Sequence, residues 1–223
     1  MIVVHHLNNS RSQRILWLLE ELGVDYEIRR YERDPRTMLA PPELRAVHPL
    51  GKSPVITDGD VVVAESGAII EYLVQREGGK LRPVEGTPER LRYTYWLHFA
   101  EGSAMPPLLL ALIFNRLPSA PMPFFARPIA RALAKGVRER MIDPQLRSQL
   151  AYMEGELASR EWFAGDAFTA ADVQMSFPLE AAAQRGGLTA AAHPHLSAFL
   201  GRIHARPAYR RAIERGGPYA LLS

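Results

Sequence analysis

Between residues 77 and 88 the chain reads Glu77-Gly-Gly-Lys-Leu-Arg-Pro-Val-Glu-Gly-Thr-Pro88, with three glycines and two prolines. Such a stretch continues neither a helix nor a sheet ladder, so it reads as a connector. The two sides differ in kind. Residues 1–78 alternate short β-like runs with helical ones, whereas from residue 87 onward there are helical periods, turns and prolines but no convincing strand. Two domains are therefore expected, 1–78 of α/β character and 87–223 all-α, and 223 residues suffice for one small core and one larger one.

The first domain opens with a strand over Ile2 to His5, a polar break at Asn8 and Asn9, and a helix from about Arg11 to Leu22 closed by Gly23. Ile15, Leu18, Leu19 and Leu22 form the buried stripe of that helix. Tyr26 and Ile28 alternate with charged residues in a second strand, which a right-handed crossover places parallel to the first. Beyond Pro35, Pro41 and Pro42, the runs Pro54 to Thr57 and Val61 to Ala64 flank Asp58-Gly-Asp60 as a hairpin. A last helix starts at Ser66 and carries Ile69, Ile70 and Leu73, giving the order β-α-β-α-β-β-α. In the second domain the apolar helical segments Leu91 to Phe99 and Leu108 to Phe114 are separated by Glu101 to Pro107, and Leu146, Leu150, Met153 and Leu157 mark a long amphipathic helix.

Composition closes several routes. With no cysteine there is neither a disulfide nor a thiolate metal site, so any thiol chemistry must use a thiol brought in by a ligand. The longest wholly apolar run, Leu108 to Phe114, is far shorter than the roughly 20 residues of a membrane span, and no leader pattern opens the chain; a soluble, cytoplasmic protein without a membrane partner is expected. A net charge of +3 is too mild to suggest nucleic acid. Arg127, Arg131, Lys135, Arg138 and Arg140 read as a solvated helix face, with an anionic substrate or partner as the alternative. His5 and His6 are adjacent on a strand and point to opposite faces, and no third ligand stands at metal-like spacing, so no metal is predicted.

Three places carry polar groups of chemical interest. Pro54 begins a strand-like run, which proline tolerates because its missing N–H need not enter the ladder. It is either a plain edge proline or part of a cis Ser53–Pro54 peptide that turns the Val55 backbone toward an extended peptide ligand. Glu65-Ser66 sits at a strand-to-helix junction. Ser66 there is an N-cap, or the helix N-terminus binds a carboxylate while Glu65 pairs an amino group. Ser10 precedes the first helix with Gln13 three residues on, the Ser-x-x-Gln capping box, a stabilisation of about 1 kcal/mol.

Gly51-Lys-Ser-Pro-Val-Ile56 and Ala64-Glu-Ser-Gly-Ala-Ile-Ile70 resemble the two glutathione-site motifs of the cytosolic glutathione S-transferases. A third match is Phe168-Thr-Ala-Ala-Asp172, where Thr169 and Asp172 form a capping box that in this family starts a buried helix. The stretch His5 to Trp17 looks most like bacterial and fungal members, and the similarity covers essentially the whole chain. The resemblance implies a thioredoxin-like N-terminal domain (βαβ-α-ββα) holding glutathione and an all-α helical C-terminal domain holding an apolar electrophile. By the same resemblance Lys52 binds the glycyl carboxylate, Val55, turned by Pro54, the cysteinyl backbone, and Glu65 with Ser66 the γ-glutamyl end.

Family members place Tyr, Ser or Cys after the first strand, and this chain has neither Tyr nor Cys there. Ser10 is then the catalytic candidate, with Arg14 four residues later as in serine-type members. Its hydroxyl would donate to the glutathione sulfur and favour the thiolate, the adjacent helix N-terminus acting in the same direction. Asn9, Ser12 and Arg11 remain alternatives. Tyr95, Phe99, Met105 and Pro106 offer apolar surface for the co-substrate. The implied function is glutathione transfer in detoxification by a homodimer, with glutathione peroxidase activity at the side. The alternative is a non-catalytic scaffold of the same fold that binds or regulates, and the missing cysteine weighs against a glutaredoxin-like role.

Overall fold

The computed structural model describes residues 1–37 and 39–222, the last without its side chain, so the predicted limit of the second domain at Ser223 lies outside the described residues. The first domain runs β1 (Ile2–Leu7), α1 (Ser12–Leu22), β2 (Tyr26–Tyr31), α2 (Pro42–Val47), β3 (Val55–Asp58), β4 (Val61–Ala64) and α3 (Ser66–Arg76). The sheet order is β2-β1-β3-β4. β1 is parallel to β2, with Ile2 opposite Tyr26, and antiparallel to β3, with His5 opposite Val55. α1 ends where Gly23 turns left-handed at φ 75, and its N–H bonds the carbonyl of Leu19. Asp58 pairs with Val61, leaving a two-residue hairpin loop in which Gly59 takes φ 58.

Alternation along β1 sets the two faces. Ile2 and Val4 pack with α1 and α3 in the main core, while Leu7 joins Tyr31 and Leu44 of α2 in a small second cluster. His5 and His6 follow the same rule, His5 bonding the Tyr31 hydroxyl on one face and His6 bonding Ser12 of α1 on the other. Both are buried.

The second domain comprises α4 (Pro88–Phe99), α5 (Met105–Arg116), α6 (Arg127–Val137), α7 (Asp143–Ala158), α8 (Ala170–Arg185), α9 (Pro194–Ala205) and α10 (Pro207–Gly216). The sequence predicts a break between α4 and α5; instead a π turn over Ala100–Ala104 joins them into one continuous rod. Pro107 has no N–H for the carbonyl of Ser103, and the Gln149 side chain of α7 donates to that carbonyl at 2.8 Å. The rod Pro88–Ser119 is long and apolar enough to cross a membrane by length and composition alone. Its Tyr93, Trp96, Met105, Leu108 and Ala111 are nonetheless packed into the protein core, which makes it the central helix of this domain.

α8 starts at the predicted capping box. Thr169 N–H and Oγ1 donate to Asp172 Oδ2 at 2.8 and 3.0 Å, and Phe163 N–H donates to Oδ1 at 2.9 Å. Residues 170–182 are then buried throughout. The connector is tied down rather than loose, since Lys80 Nζ donates to the carbonyls of Glu21 and Leu22 and Ala170 N–H to that of Leu81. One hydrophobic cluster runs through both domains.

Candidate active site

Ser10 lies between β1 and α1, 4% exposed, and its hydroxyl is engaged on three sides. Its oxygen lies 2.7 Å from Ser12 Oγ, accepts the Ser12 N–H at 3.2 Å, and stands 3.4 Å from Ser53 Oγ. The predicted Ser10–Gln13 capping box does not form. α1 begins one residue later with Arg11 at the cap position, and Gln13 points toward α10, where a Cβ at Gly216 would collide with it.

His6 closes the hydrogen-bonded group around Ser10. Burial brings its pKa down to about 4, so the ring is neutral near pH 7. Its Nδ1 stands 2.8 Å from Ser12 Oγ, which also lies 3.5 Å from the Leu7 carbonyl and 2.7 Å from Ser10 Oγ. Two acceptors thus stand within reach of the Ser10 proton, Ser12 Oγ and Ser53 Oγ, the latter with its own proton on the His5 carbonyl.

Ser53 faces Ser10 from the turn before β3, donating to the carbonyl of His5 at 2.9 Å and accepting Leu7 N–H at 3.4 Å. The Ser53–Pro54 peptide is cis. Val55, by contrast, sits inside the sheet between His5 of β1 and Ala64 of β4. Among the described residues no backbone–backbone hydrogen bond engages Ser53. Lys52 is exposed on the same turn.

Glu65 occupies the cap position of α3 with φ 69 and ψ 128, a backbone conformation that costs a non-glycine residue about 1–3 kcal/mol. Ser66 is the first helical residue rather than the cap. Its hydroxyl accepts from Arg14 Nη2 at 3.0 Å. Arg14 is 2% exposed and also donates to the Gln174 carbonyl at 2.7 Å and to Glu101 at 2.5 Å. The Gln174 carbonyl is available because Pro178, four residues on in α8, has no N–H to donate to it. Glu101, on the π turn, also receives Arg11 Nε at 3.1 Å. Burial pushes its carboxyl up, but Arg14 and Arg11 outweigh burial and hold it below the usual carboxylate range.

The four candidates around the first turn thus separate. Asn9 Oδ1 accepts Ala220 N–H at 2.7 Å, Arg11 holds Glu101, Ser12 bonds His6, and Ser10 faces Ser53. The mouth is cationic: burial lowers the pKa of Arg33 and of Arg185, and each is lowered further by Arg11, with Arg116 also acting on Arg185. A cavity of about 570 Å³ opens beside Glu65 and Glu101, lined also by Gly67, Ala68, His98 and Gln174.

The predicted apolar pocket residues do not converge on Ser10. Tyr95 and Phe99 stack at 5.6 Å and join Trp96 and Tyr152 in an aromatic cluster between α4 and α7, Met105 is in the core, and Pro106 is exposed. Beside the first turn of α1 the nearest ring is Phe177 of α8, itself buried, with Arg11 and Arg14 over it at 5.0 and 5.1 Å.

Residues 1–75 match the glutathione S-transferase N-terminal domain and residues 140–207 the C-terminal domain of the same family. "Glutathione S-transferase 3" of Schizosaccharomyces pombe is 42% identical over 217 residues, covering 96% of this chain and 88% of its own length. The chain belongs to the glutathione S-transferase family. The crystal structure of a glutathione S-transferase from Actinobacillus pleuropneumoniae superposes with a TM-score of 0.81 at 35% identity, covering 100% of this chain and 96% of that one. A sphingomonad glutathione S-transferase complexed with glutathione gives 0.73 at 26% identity, over 96% of this chain and 98% of that one. In this transferase the residues that sequence reasoning missed are Ser53, His6 and Glu101. Ser53 stands inside the Gly51–Ile56 motif and His6 inside the His5–Trp17 stretch, but neither pattern gives a role to its side chain, and the sequence places Glu101 in a break.

Proposed function

We propose that this transferase binds glutathione along the Ser53–Glu65 side of the site and ionises its thiol at Ser10, for attack on an apolar electrophile. The observation that carries the reading is the contact between Ser10 Oγ and Ser53 Oγ at 3.4 Å, because it sets the hydroxyl against the turn that would hold the cysteinyl residue. Ser53, with its backbone outside the ladder, is the better partner for the cysteinyl main chain than Val55 inside it. Glu65, with its strained backbone, pairs the α-amino group of the γ-glutamyl end. The start of α3 at Ser66 takes the α-carboxylate, and Lys52 takes the glycyl carboxylate.

A thiolate is a stronger acceptor than a serine hydroxyl, so on binding the Ser10 proton turns from its serine neighbours, Ser12 and Ser53, to the sulfur. The positive charges of Arg33 and Arg185 act in the same direction. The sulfur then attacks the electrophilic carbon, the leaving group departs with the bonding pair, and the product is a thioether; catalysis is thiolate stabilisation plus proximity. Attack by the same thiolate on a peroxide oxygen is the side activity the site supports. A detoxifying, cytoplasmic homodimer fits the exposed apolar residues on both domains, Val61 and Val62 on edge strand β4 and Leu91 and Tyr95 on α4. The test is conjugation of glutathione to a panel of aryl halides and epoxides by wild type and Ser10→Ala. Loss of one hydrogen bond to a charged sulfur lowers kcat/KM by roughly 10- to 100-fold, and an unchanged rate removes Ser10 from the mechanism.

A further inference from the structure

The segment joining α5 to α7 presents large apolar side chains to solvent. Phe124 and Phe125 are 82% and 68% exposed, their rings edge-to-face at 5.8 Å, and Ile129 and Leu133, one turn apart on α6, are 62% and 60% exposed. α6 packs on the protein through a third face that carries Ala130 and Ala134, and it contacts both α5 and the turn over Phe124–Ala126. Ile113 at the end of α5 extends the exposed apolar surface.

The charge on this face is mostly basic. Residues 105–137 contain no Asp or Glu, while Arg127, Arg131 and Lys135 repeat every four residues on α6, all exposed, and Lys135 alone of the three pairs with an acid, Glu139 at 3.8 Å. At 100° per residue the stripe Ile129–Leu133 and the stripe Arg127–Arg131–Lys135 bound the outward arc of the helix, with only Pro128, Ala132 and Gly136 between them. A solvated helix face, the reading the sequence favours for the basic run, needs neither paired phenylalanines at its entry nor an apolar stripe.

We propose that this face docks on the surface of an anionic lipid bilayer. α6 lies along the interface, Phe124, Phe125, Ile129 and Leu133 enter the boundary between headgroups and acyl chains, and the basic stripe reaches the phosphates. With Lys135 paired to Glu139, Arg127 and Arg131 remain exposed without an ion pair among the described residues; that basic excess selects an anionic surface over a neutral one, and it sets this face apart from one made for a second copy of the chain, where an apolar patch needs no net charge. The inference departs from the expectation of no membrane partner and stands independently of the role given to Ser10.

The experiment is co-sedimentation of the full chain with phosphatidylcholine vesicles, with and without phosphatidylserine, for wild type, Phe124→Ser with Phe125→Ser, and Arg127→Glu with Arg131→Glu. Wild type is expected to sediment with the anionic vesicles and to be released as salt rises. The phenylalanine pair variant should lose roughly tenfold or more in partitioning, and the charge variant should lose the preference for phosphatidylserine. Both should conjugate glutathione at the wild-type rate, which shows that they fold. Failure to bind either vesicle at low salt overturns the proposal. So does binding that the phenylalanine variant leaves unchanged, which would be charge adhesion alone. If instead wild type stays in solution and the phenylalanine variant falls to a smaller oligomer by light scattering, the face belongs to a second copy and the proposal is wrong.

Discussion

A serine hydroxyl has one proton, and in the free protein Ser12 Oγ and Ser53 Oγ both stand within its reach, so thiolate binding competes with those bonds. Ser12→Ala removes the nearer competitor, and the bound thiol should titrate up to about one pH unit lower than in wild type, since a net hydrogen bond is worth about 0.5–1.5 kcal/mol. A pKa raised by this substitution would show that Ser12 positions Ser10 instead. Glu65 offers a second residue-level test. Its φ of 69 suits glycine, so Glu65→Gly should raise the unfolding free energy by about 1 kcal/mol after the entropy of glycine is counted, while glutathione affinity falls. Loss of stability would mean that the backbone there is not strained. Ser10, Lys52, Glu65 and Ser66 stand out as candidates in the sequence because each lies in a short motif beside a turn. Ser53 and His6 do not, because their roles depend on β1 and β3 pairing in one register, which no local pattern encodes.

At the scale of the element, two prolines decide where carbonyls are free. Pro107 leaves the Ser103 carbonyl to Gln149, and Pro178 leaves the Gln174 carbonyl to Arg14. From sequence the cluster Glu101 to Pro107 looks like a helix break. The rod continues because a π turn accommodates it and α7 supplies the missing donor, and both causes are tertiary. The α8 capping box was legible because it is local, and it carries a pH signature. Burial raises the Asp172 pKa to about 6 against three hydrogen bonds that lower it, so the folded state holds this proton more tightly than the unfolded chain at about 3.9. Its contribution is therefore present at low pH and lost as pH rises from about 4 to 6. The stability of wild type relative to Asp172→Asn should fall by about 2 kcal/mol between those limits in denaturant titrations; a difference flat with pH contradicts the assignment.

For the whole molecule, the active site is assembled across the domain boundary. Arg14 of α1 is fixed by Ser66 of α3, Glu101 of the rod and the Gln174 carbonyl of α8, so ligand residues and their supports come from both domains. Removing the Glu101 charge leaves Arg14 buried beside Arg11. Because the Glu101 side chain is 34% exposed, Glu101→Gln should cost about 2 kcal/mol rather than the roughly 3–5 kcal/mol of a fully buried pair. The Glu101 pKa is held down, so its stabilisation is complete above the unfolded carboxylate value of about 4.3 and is lost as pH falls through the lower folded value. The division into two domains was plain in the sequence. The clamp between them was not, since Arg14 and Glu101 are 87 residues apart. The central claim is that this assembled site ionises glutathione at Ser10. Its most direct test is the ultraviolet thiolate band of bound glutathione, titrated with pH in wild type and Ser10→Ala. The thiolate should form below the pKa of free glutathione in wild type, and about one to two pH units higher in the variant. A band in wild type no lower than that of free glutathione, or one identical in the two proteins, would contradict it.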